Sequence, residues 1–254
     1  MNIKTTLFLA LIILNIQSFA QDRSAFRSGY TRIGINTLGK SLDNRISPKQ
    51  NISNGNYGAS TGFVFEQGKV FYFRQKDIKK LLNFGLDWTY GSMNYNKMDK
   101  WEAYGKASGS KEYAVDGSKI AVSISSKLGP VLSFNPIEKL VIDIRAQLAP
   151  TFRIFDLTYN EGNGNTTPRY FSFINSEAEN QNESSESESI KNRIAFGFQK
   201  SFGITVRRKA IGLSLEYVTG NVRSNYEAED NTGISNGKMD IPVSNVQLKL
   251  SFTL

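Results

Sequence analysis

The 254-residue sequence contains no cysteine and no histidine. The lack of cysteine excludes a disulfide scaffold, so backbone pairing and packing must hold the chain together. Without either residue, transition-metal sites lose their preferred ligands. Ser–His and Asp–His catalysis also loses its base. We therefore expect no enzymatic activity, no cofactor and no metal site, with carboxylate-only catalysis as the remaining enzymatic alternative.

Long hydrophobic runs are also lacking, except near the N-terminus. The first residues combine Lys4, a ten-residue run over residues 7–16 that is apolar except for Asn15, and the small residues Ser18 and Ala20. This layout is typical of a secretory signal peptide, and the run is too short for a membrane-spanning helix. We predict a cleaved signal peptide over residues 1–20 and a single domain over residues 21–254.

The charge is only mildly unbalanced, with 31 Lys and Arg against 23 Asp and Glu, a formal net charge of +8. Lys4 is the only charged residue of the leader, so its removal lowers the net charge by one. The basic residues are dispersed along the chain and form no stripe on one element. The pattern predicts no nucleic-acid partner.

Eight segments of the chain alternate apolar and polar residues with a period of two, which is typical of strands with one buried face. They cover residues 30–38, 57–73, 81–96, 119–134, 139–157, 192–206, 210–223 and 241–254. In the sixth segment, Lys200 falls on the apolar side, which suggests a bulge or a side chain that reaches upward. No helical periodicity of useful length appears after the leader.

The connections between these segments alternate strictly between long and short. The long connections cover residues 39–56, 97–118, 158–191 and 224–240, and the short ones residues 74–80, 135–138 and 207–209. Membrane barrels combine short periplasmic turns with long outer loops. The sequence therefore predicts an all-β fold, an eight-stranded antiparallel up-and-down transmembrane β-barrel.

Alternation alone does not say which face is inside, and a soluble periplasmic barrel with an apolar interior is the alternative. Three features favour a membrane barrel: long strands, loops segregated by length, and aromatic residues on the apolar faces near strand ends. The aromatic residues are Trp88, Tyr90, Phe134, Phe152, Phe155, Phe202, Tyr217 and Phe252.

The last strand, VQLKLSFTL, resembles the C-terminal strand of outer-membrane β-barrel proteins, with Phe252 near its end. The pattern of the whole mature chain is similar to the small eight-stranded barrels of the OmpA-transmembrane and OmpX type in the porin family. This resemblance implies the outer membrane of a Gram-negative-type bacterium. It also implies contact with outer-membrane lipid and lipopolysaccharide, insertion by the barrel-assembly machinery, and an unknown membrane-protein partner as an open alternative.

A membrane barrel would enclose the polar faces, which carry charges of both signs. Nine charged residues are expected to point inward: Arg32, Glu66, Asp87, Lys127, Asp143, Arg145, Arg153, Glu216 and Lys249. An eight-stranded barrel is just wide enough for side chains to fill it. We interpret these residues as a structural network of paired charges, with a narrow, gated path for ions as the alternative.

Residues 176–189, SEAENQNESSESES, contain five Glu and no basic residue. This composition predicts a disordered acidic segment, with divalent-cation binding as the alternative. For the whole protein, the sequence leaves three functions open: a structural or surface-interaction barrel, a narrow porin-like channel, and an accessory component of outer-membrane secretion or assembly.

Overall fold

The computed structural model describes residues 25–73, 81–107, 112–163, 166–174, 186–191, 193–230 and 233–253. The predicted signal peptide lies outside these residues. The strands are β1 (Gly29–Leu38), β2 (Gly62–Tyr72), β3 (Leu82–Lys97), β4 (Glu112–Ile137), β5 (Leu140–Asn163), β6 (Thr166–Ile174), β7 (Glu186–Lys191), β8 (Ile194–Arg208), β9 (Ile211–Asp230), β10 (Gly233–Pro242) and β11 (Asn245–Thr253). Two short helices, α1 (Pro48–Ser53) and α2 (Trp101–Ala107), complete the described elements.

Eight of these strands form a closed antiparallel ring, which confirms the predicted barrel. Around the ring, each strand pairs with the next in the order β1, β2, β3, β4, β5, β8, β9 and β11. The ring closes between the first and last strands, from Tyr30 opposite Thr253 to Leu38 opposite Asn245. Since every ring strand has two neighbours, the barrel wall formed by the described residues has no open edge.

The alternating sequence places apolar side chains on the outside of the ring and polar ones on the inside. In β11, Val246, Leu248 and Leu250 are 43–48% exposed, whereas Gln247 and Lys249 are fully buried. This is the reverse of a water-soluble barrel and the arrangement of a membrane-spanning one. The alternative of a soluble barrel with an apolar interior is therefore wrong.

The two ends of the barrel differ as the connection lengths predict. Two-residue turns at residues 138–139 and 209–210 join β4 to β5 and β8 to β9, at what we call the turn end. The long connections all lie at the opposite end, which we call the loop end. Residues 74–80, the third predicted short connection, lie outside the described residues.

Much of the long connections is extended β-structure, which the sequence analysis did not predict. At the loop end, β5 continues beyond the ring and pairs with β6. Strand β9 also continues, between β10 on one side and β7 on the other. Strands β6 and β7 pair in parallel. Strands β6, β7 and β10 thus pair with the extended ends of the ring strands β5 and β9. The barrel already fixes the positions of β5 and β9, which favours one register for these added pairings.

The two helices also differ from the sequence-based expectation of no helix. Helix α1 begins with a capping box, in which the Ser47 hydroxyl accepts from the Gln50 backbone N–H while the Gln50 side chain accepts from the Ser47 backbone N–H. This Ser-Pro-x-Gln signal was present in the sequence, but one turn of helix is too short to show a periodic pattern. No helix in the described part of the chain is long and apolar enough to cross a membrane.

Several predicted boundaries require correction. Strand β2 begins at Gly62, not at Tyr57, which is buried outside the strand. The predicted eighth segment contains the end of β10 at Pro242, a two-residue break, and then β11. Within the predicted disordered segment, residues 176–185 lie outside the described residues. Residues 186–189 belong to β7, where their backbone pairs with β6 and β9.

Two predicted side-chain positions are also clarified. Lys200 points outward and is exposed, without a bulge, because the pairing of β8 with β5 runs through it without a shift. Phe155 is 2% exposed and lies inside the barrel, so its assignment to the outer aromatic face was wrong. Its position follows the alternation of β5, since Phe152, three residues earlier, faces outward.

Candidate functional site

The structure places all nine of the charged residues selected from the sequence inside the barrel. Their exposed fractions range from 0% to 6%: Arg32, Glu66, Asp87, Lys127, Asp143, Arg145, Arg153, Glu216 and Lys249. The ring strands hold their backbones, and the alternation directs each side chain to the same interior. Seven of them form one connected group, Asp143 belongs to a second group at the turn end, and Arg153 stands apart from both.

The centre of the first group is a square of two carboxylates and two ammonium groups from four strands. Lys127 Nζ donates to Glu66 Oε1 at 2.5 Å and also to Glu216 Oε1. Lys249 Nζ lies 2.7 Å from Glu66 Oε2 and 2.8 Å from Glu216 Oε2. Each charge therefore has two neighbours of opposite sign, which is the geometry that a buried ion pair requires to offset its desolvation.

Arg145 extends this square toward the turn end. Its Nη2 donates to Glu216 Oε2 at 2.8 Å and to Ser214 Oγ at 2.7 Å, and its Nη1 donates to Thr205 Oγ1 at 2.6 Å. Gly203 makes this position possible, because a Cβ at residue 203 would lie 2.7 Å from Arg145 Cζ. The guanidinium thus occupies the space that a larger residue in β8 would fill.

Arg32 connects the square to the remaining carboxylate of the group. Its guanidinium lies 3.6 Å from Glu66 Oε2 and 3.6 Å from Asp87 Oδ2. It also stacks over the Tyr30 ring, with Cζ 3.6 Å from the centroid. The Tyr30 hydroxyl donates to Asp87 Oδ1 at 2.5 Å. Tyr30 is therefore a member of the network, although its sequence position had indicated only a strand residue.

The second group lies at the turn end and contains a cation that the sequence analysis missed. Arg207 Nε donates to Asp143 Oδ2 at 2.9 Å, and Ser133 Oγ donates to Asp143 Oδ1. Arg207 Nη2 also donates to the Tyr72 hydroxyl. Residues 207–209 were assigned to a turn, but the alternation of β8 continues through Val206, which faces outward. Extending that phase by one residue would have placed Arg207 inside.

An apolar cap closes the loop end above the charged groups. The cap comprises Leu38, Ile52, Tyr57, Met98, Trp101, Tyr104, Phe155, Leu157, Tyr159 and Phe173, all buried and packed together. Helix α2 contributes Trp101, whose Nε1 donates to the Tyr57 carbonyl at 2.9 Å, and the Tyr57 hydroxyl donates to the Pro242 carbonyl. Leu38, Tyr57, Phe155 and Leu157 lie in segments that were predicted as strands. The other cap residues lie in predicted long connections, where apolar residues follow no regular period.

Ion pairs also occur outside the barrel, in the segments near the cap. Lys119 Nζ donates to Glu102 Oε1 at 2.7 Å, which holds the pKa of the Glu102 carboxyl below its ordinary value. In the connection before α1, hydrogen bonds from Arg45 lower the pKa of Asp43 to about 2. Both pairs are solvent-exposed, and such pairs contribute little to stability.

The described residues contain no group of three or more His, Cys, Asp or Glu side chains that could hold a metal ion. Glu66 and Glu216 share their interior with cations, so their oxygens are already occupied by Lys and Arg donors. The paired charges therefore fill the interior of the barrel and connect its strands.

No protein-family model and no curated protein matches this chain. Among solved structures, it is similar to Ail, the attachment invasion locus protein of Yersinia pestis, with 11% identity over 90% of this chain and 99% of Ail, and a TM-score of 0.39. It is also similar to a major outer membrane protein from Thermus thermophilus, with 8% identity over 89% of this chain and 99% of that protein, and a TM-score of 0.40.

Proposed function

We propose that this protein is an outer-membrane β-barrel with a structural or surface-interaction role, and that its barrel is closed to ions and solutes. The observation that carries this proposal is the filled interior: paired charges occupy its centre, and an apolar cap covers its loop end. A catalytic role is not part of the proposal, because the interior carboxylates of the described residues are all engaged by buried cations or hydroxyl groups.

Location in the outer membrane is supported by the apolar outer wall together with the predicted signal peptide. Outward residues such as Ile144, Leu215 and Leu248 are 43–54% exposed and would contact hydrocarbon in a bilayer. Closed barrels satisfy every backbone hydrogen bond, which a chain must do to cross a membrane without helices. The loop-end structure would then project from the outer surface, where lipopolysaccharide or a protein partner could bind it.

The interior network supports a structural role because it connects strands on opposite sides of the ring. Strands β2 and β9 are not neighbours, yet Lys127 and Lys249 bridge their carboxylates. Breaking one partner of a buried pair typically costs ~3–5 kcal/mol. We infer that the network holds the ring in one register.

Planar-bilayer recordings of the refolded protein test the proposal against the narrow-channel alternative. The closed barrel predicts no steady conductance, while a general porin inserted in the same bilayer gives its usual openings as the control. Reproducible openings of the wild-type protein would overturn the closed-barrel proposal. Heat-modifiable migration on gels and recovery in the outer-membrane fraction test the location separately, so the two parts of the proposal can fail independently.

A further inference from the structure

Arg153 is the interior cation for which the described residues supply no counter-charge. The side chain is 2% exposed, and its Nε and Nη1 atoms have no hydrogen-bond partner among those residues. Its guanidinium instead lies near two rings, 4.9 Å from the Phe155 centroid and 5.9 Å from the Tyr57 centroid. A buried charge without a partner is strongly unfavourable, so this position requires an anion.

The charge balance of the interior agrees with this requirement. The buried charged residues of the described chain comprise four anions and six cations: Glu66, Asp87, Asp143 and Glu216 against Arg32, Lys127, Arg145, Arg153, Arg207 and Lys249. These four carboxylates all bind cations of the two groups below the cap, so none of them is left over for Arg153. The interior therefore carries an excess of two positive charges: one belongs to the first group, where four cations share three carboxylates, and the other is Arg153.

The strand registers place further hydrogen-bond donors beside Arg153. Arg153 of β5 lies opposite Ser123 of β4, and Ser123 lies opposite Asn94 of β3, so the three form one row on the inner wall. Directly opposed residues in antiparallel strands have Cβ atoms about 4.5–5.5 Å apart. The Asn94 Oδ1 accepts from Asn36 and Gln247, which leaves its amide N–H groups for a further acceptor.

The other side of Arg153 is lined by a small residue. Its partner in β8 is Ala195, a buried residue whose side chain offers the guanidinium no polar group. Tyr57 and Phe155 of the cap cover the position from the loop end. The result is a row of a guanidinium, a hydroxyl and an amide beneath an aromatic cover, with one positive charge to neutralise.

We propose that this row, Arg153, Ser123 and Asn94, is a buried binding site for one monovalent halide ion, chloride under ordinary conditions. A single negative charge matches the single unpaired guanidinium of the described interior, and a halide accepts hydrogen bonds from any direction. The cap covers the site, so the ion is held as part of the folded barrel. This site is independent of the proposed function, since a barrel without it could still be closed to ions.

Crystals grown with bromide in place of chloride test the site directly. The expected result is an anomalous bromide peak within hydrogen-bond distance of the Arg153 guanidinium. A map in which bromide occupies only surface positions would overturn the proposal. So would a carboxylate from the protein itself, or water alone, at the guanidinium.

Thermal unfolding in detergent provides a second test. Replacing sodium gluconate by sodium chloride at equal ionic strength should raise the unfolding midpoint of the wild-type protein by roughly 2–4 °C. The Arg153→Met variant should lose this difference, and the Lys200→Met variant, which removes an outward cation, should keep it. An equal midpoint of the wild-type protein in both salts would contradict the site. If Arg153→Met does not fold, the wild-type comparison and the bromide map still decide.

Discussion

At the residue scale, the interior of this barrel depends on where the sequence places its smallest side chains. Gly203 lies inside β8, and its missing side chain is what lets the Arg145 guanidinium reach Glu216, Thr205 and Ser214. Gly91 in β3 is exposed, and a Cβ added there would meet nothing within 4 Å. The two glycines therefore offer a matched comparison between an inner and an outer position.

We predict that Gly203→Ala destabilises the barrel by about 1–3 kcal/mol, because the new methyl group would displace a guanidinium that three partners hold in place. Gly91→Ala should leave the free energy of unfolding nearly unchanged. Urea unfolding of both variants in detergent measures the difference. Equal midpoints for the two variants would show that Arg145 is not fixed as the structure indicates.

The inward direction of the nine charged residues follows from alternation, which is a local property of the sequence. Which of them meet is not local: Glu66 and Glu216 are 150 positions apart in the chain, and their shared lysines come from two further strands. The pairing depends on the stagger of the ring, which no single segment encodes. Arg207 was missed because residues 207–209 were assigned to a turn, and Tyr30 because it was treated only as the first residue of a strand.

At the element scale, the loop end is more ordered than its sequence suggested. Helix α2 presents Trp101 to the cap, and the Trp101 ring lies 5.3 Å from Tyr104 and 5.6 Å from Tyr159 between centroids. Such packing arises from residues brought together by different connections. The ring strands were predictable because their period repeats over many residues, while these short elements depend on contacts that the sequence shows only as scattered apolar residues.

The cap makes a prediction for Trp101→Ala. Truncation of a buried Trp typically costs ~3–5 kcal/mol, so the segments that form the cap should open more often. Trypsin should then cleave after Lys49 or Lys100 at least roughly tenfold faster than in the wild-type protein. Trp88→Ala removes an outward Trp of the same size and is the control. Equal cleavage rates in the two variants would contradict a cap that Trp101 holds closed.

At the scale of the whole molecule, the distribution of polarity decides what the protein is. A soluble barrel and a membrane barrel share the same strand alternation and differ only in which face encloses the centre. Here most of the large apolar residues of the ring strands face out, and ten charged residues face in. The apolar outer wall and the charged interior both follow from that direction.

The chain's two tryptophans allow this choice to be measured directly, since Trp88 is 43% exposed on the outer wall and Trp101 is fully buried in the cap. Single-Trp proteins made with Trp101→Phe and Trp88→Phe are refolded into vesicles of lipids brominated on their acyl chains. Fluorescence of Trp88 should be strongly quenched by the brominated chains and little affected by aqueous acrylamide, while Trp101 should be insensitive to the brominated chains. Acrylamide quenching of Trp88, with no effect of the brominated lipid, would show that the apolar face does not meet the membrane and would contradict the account.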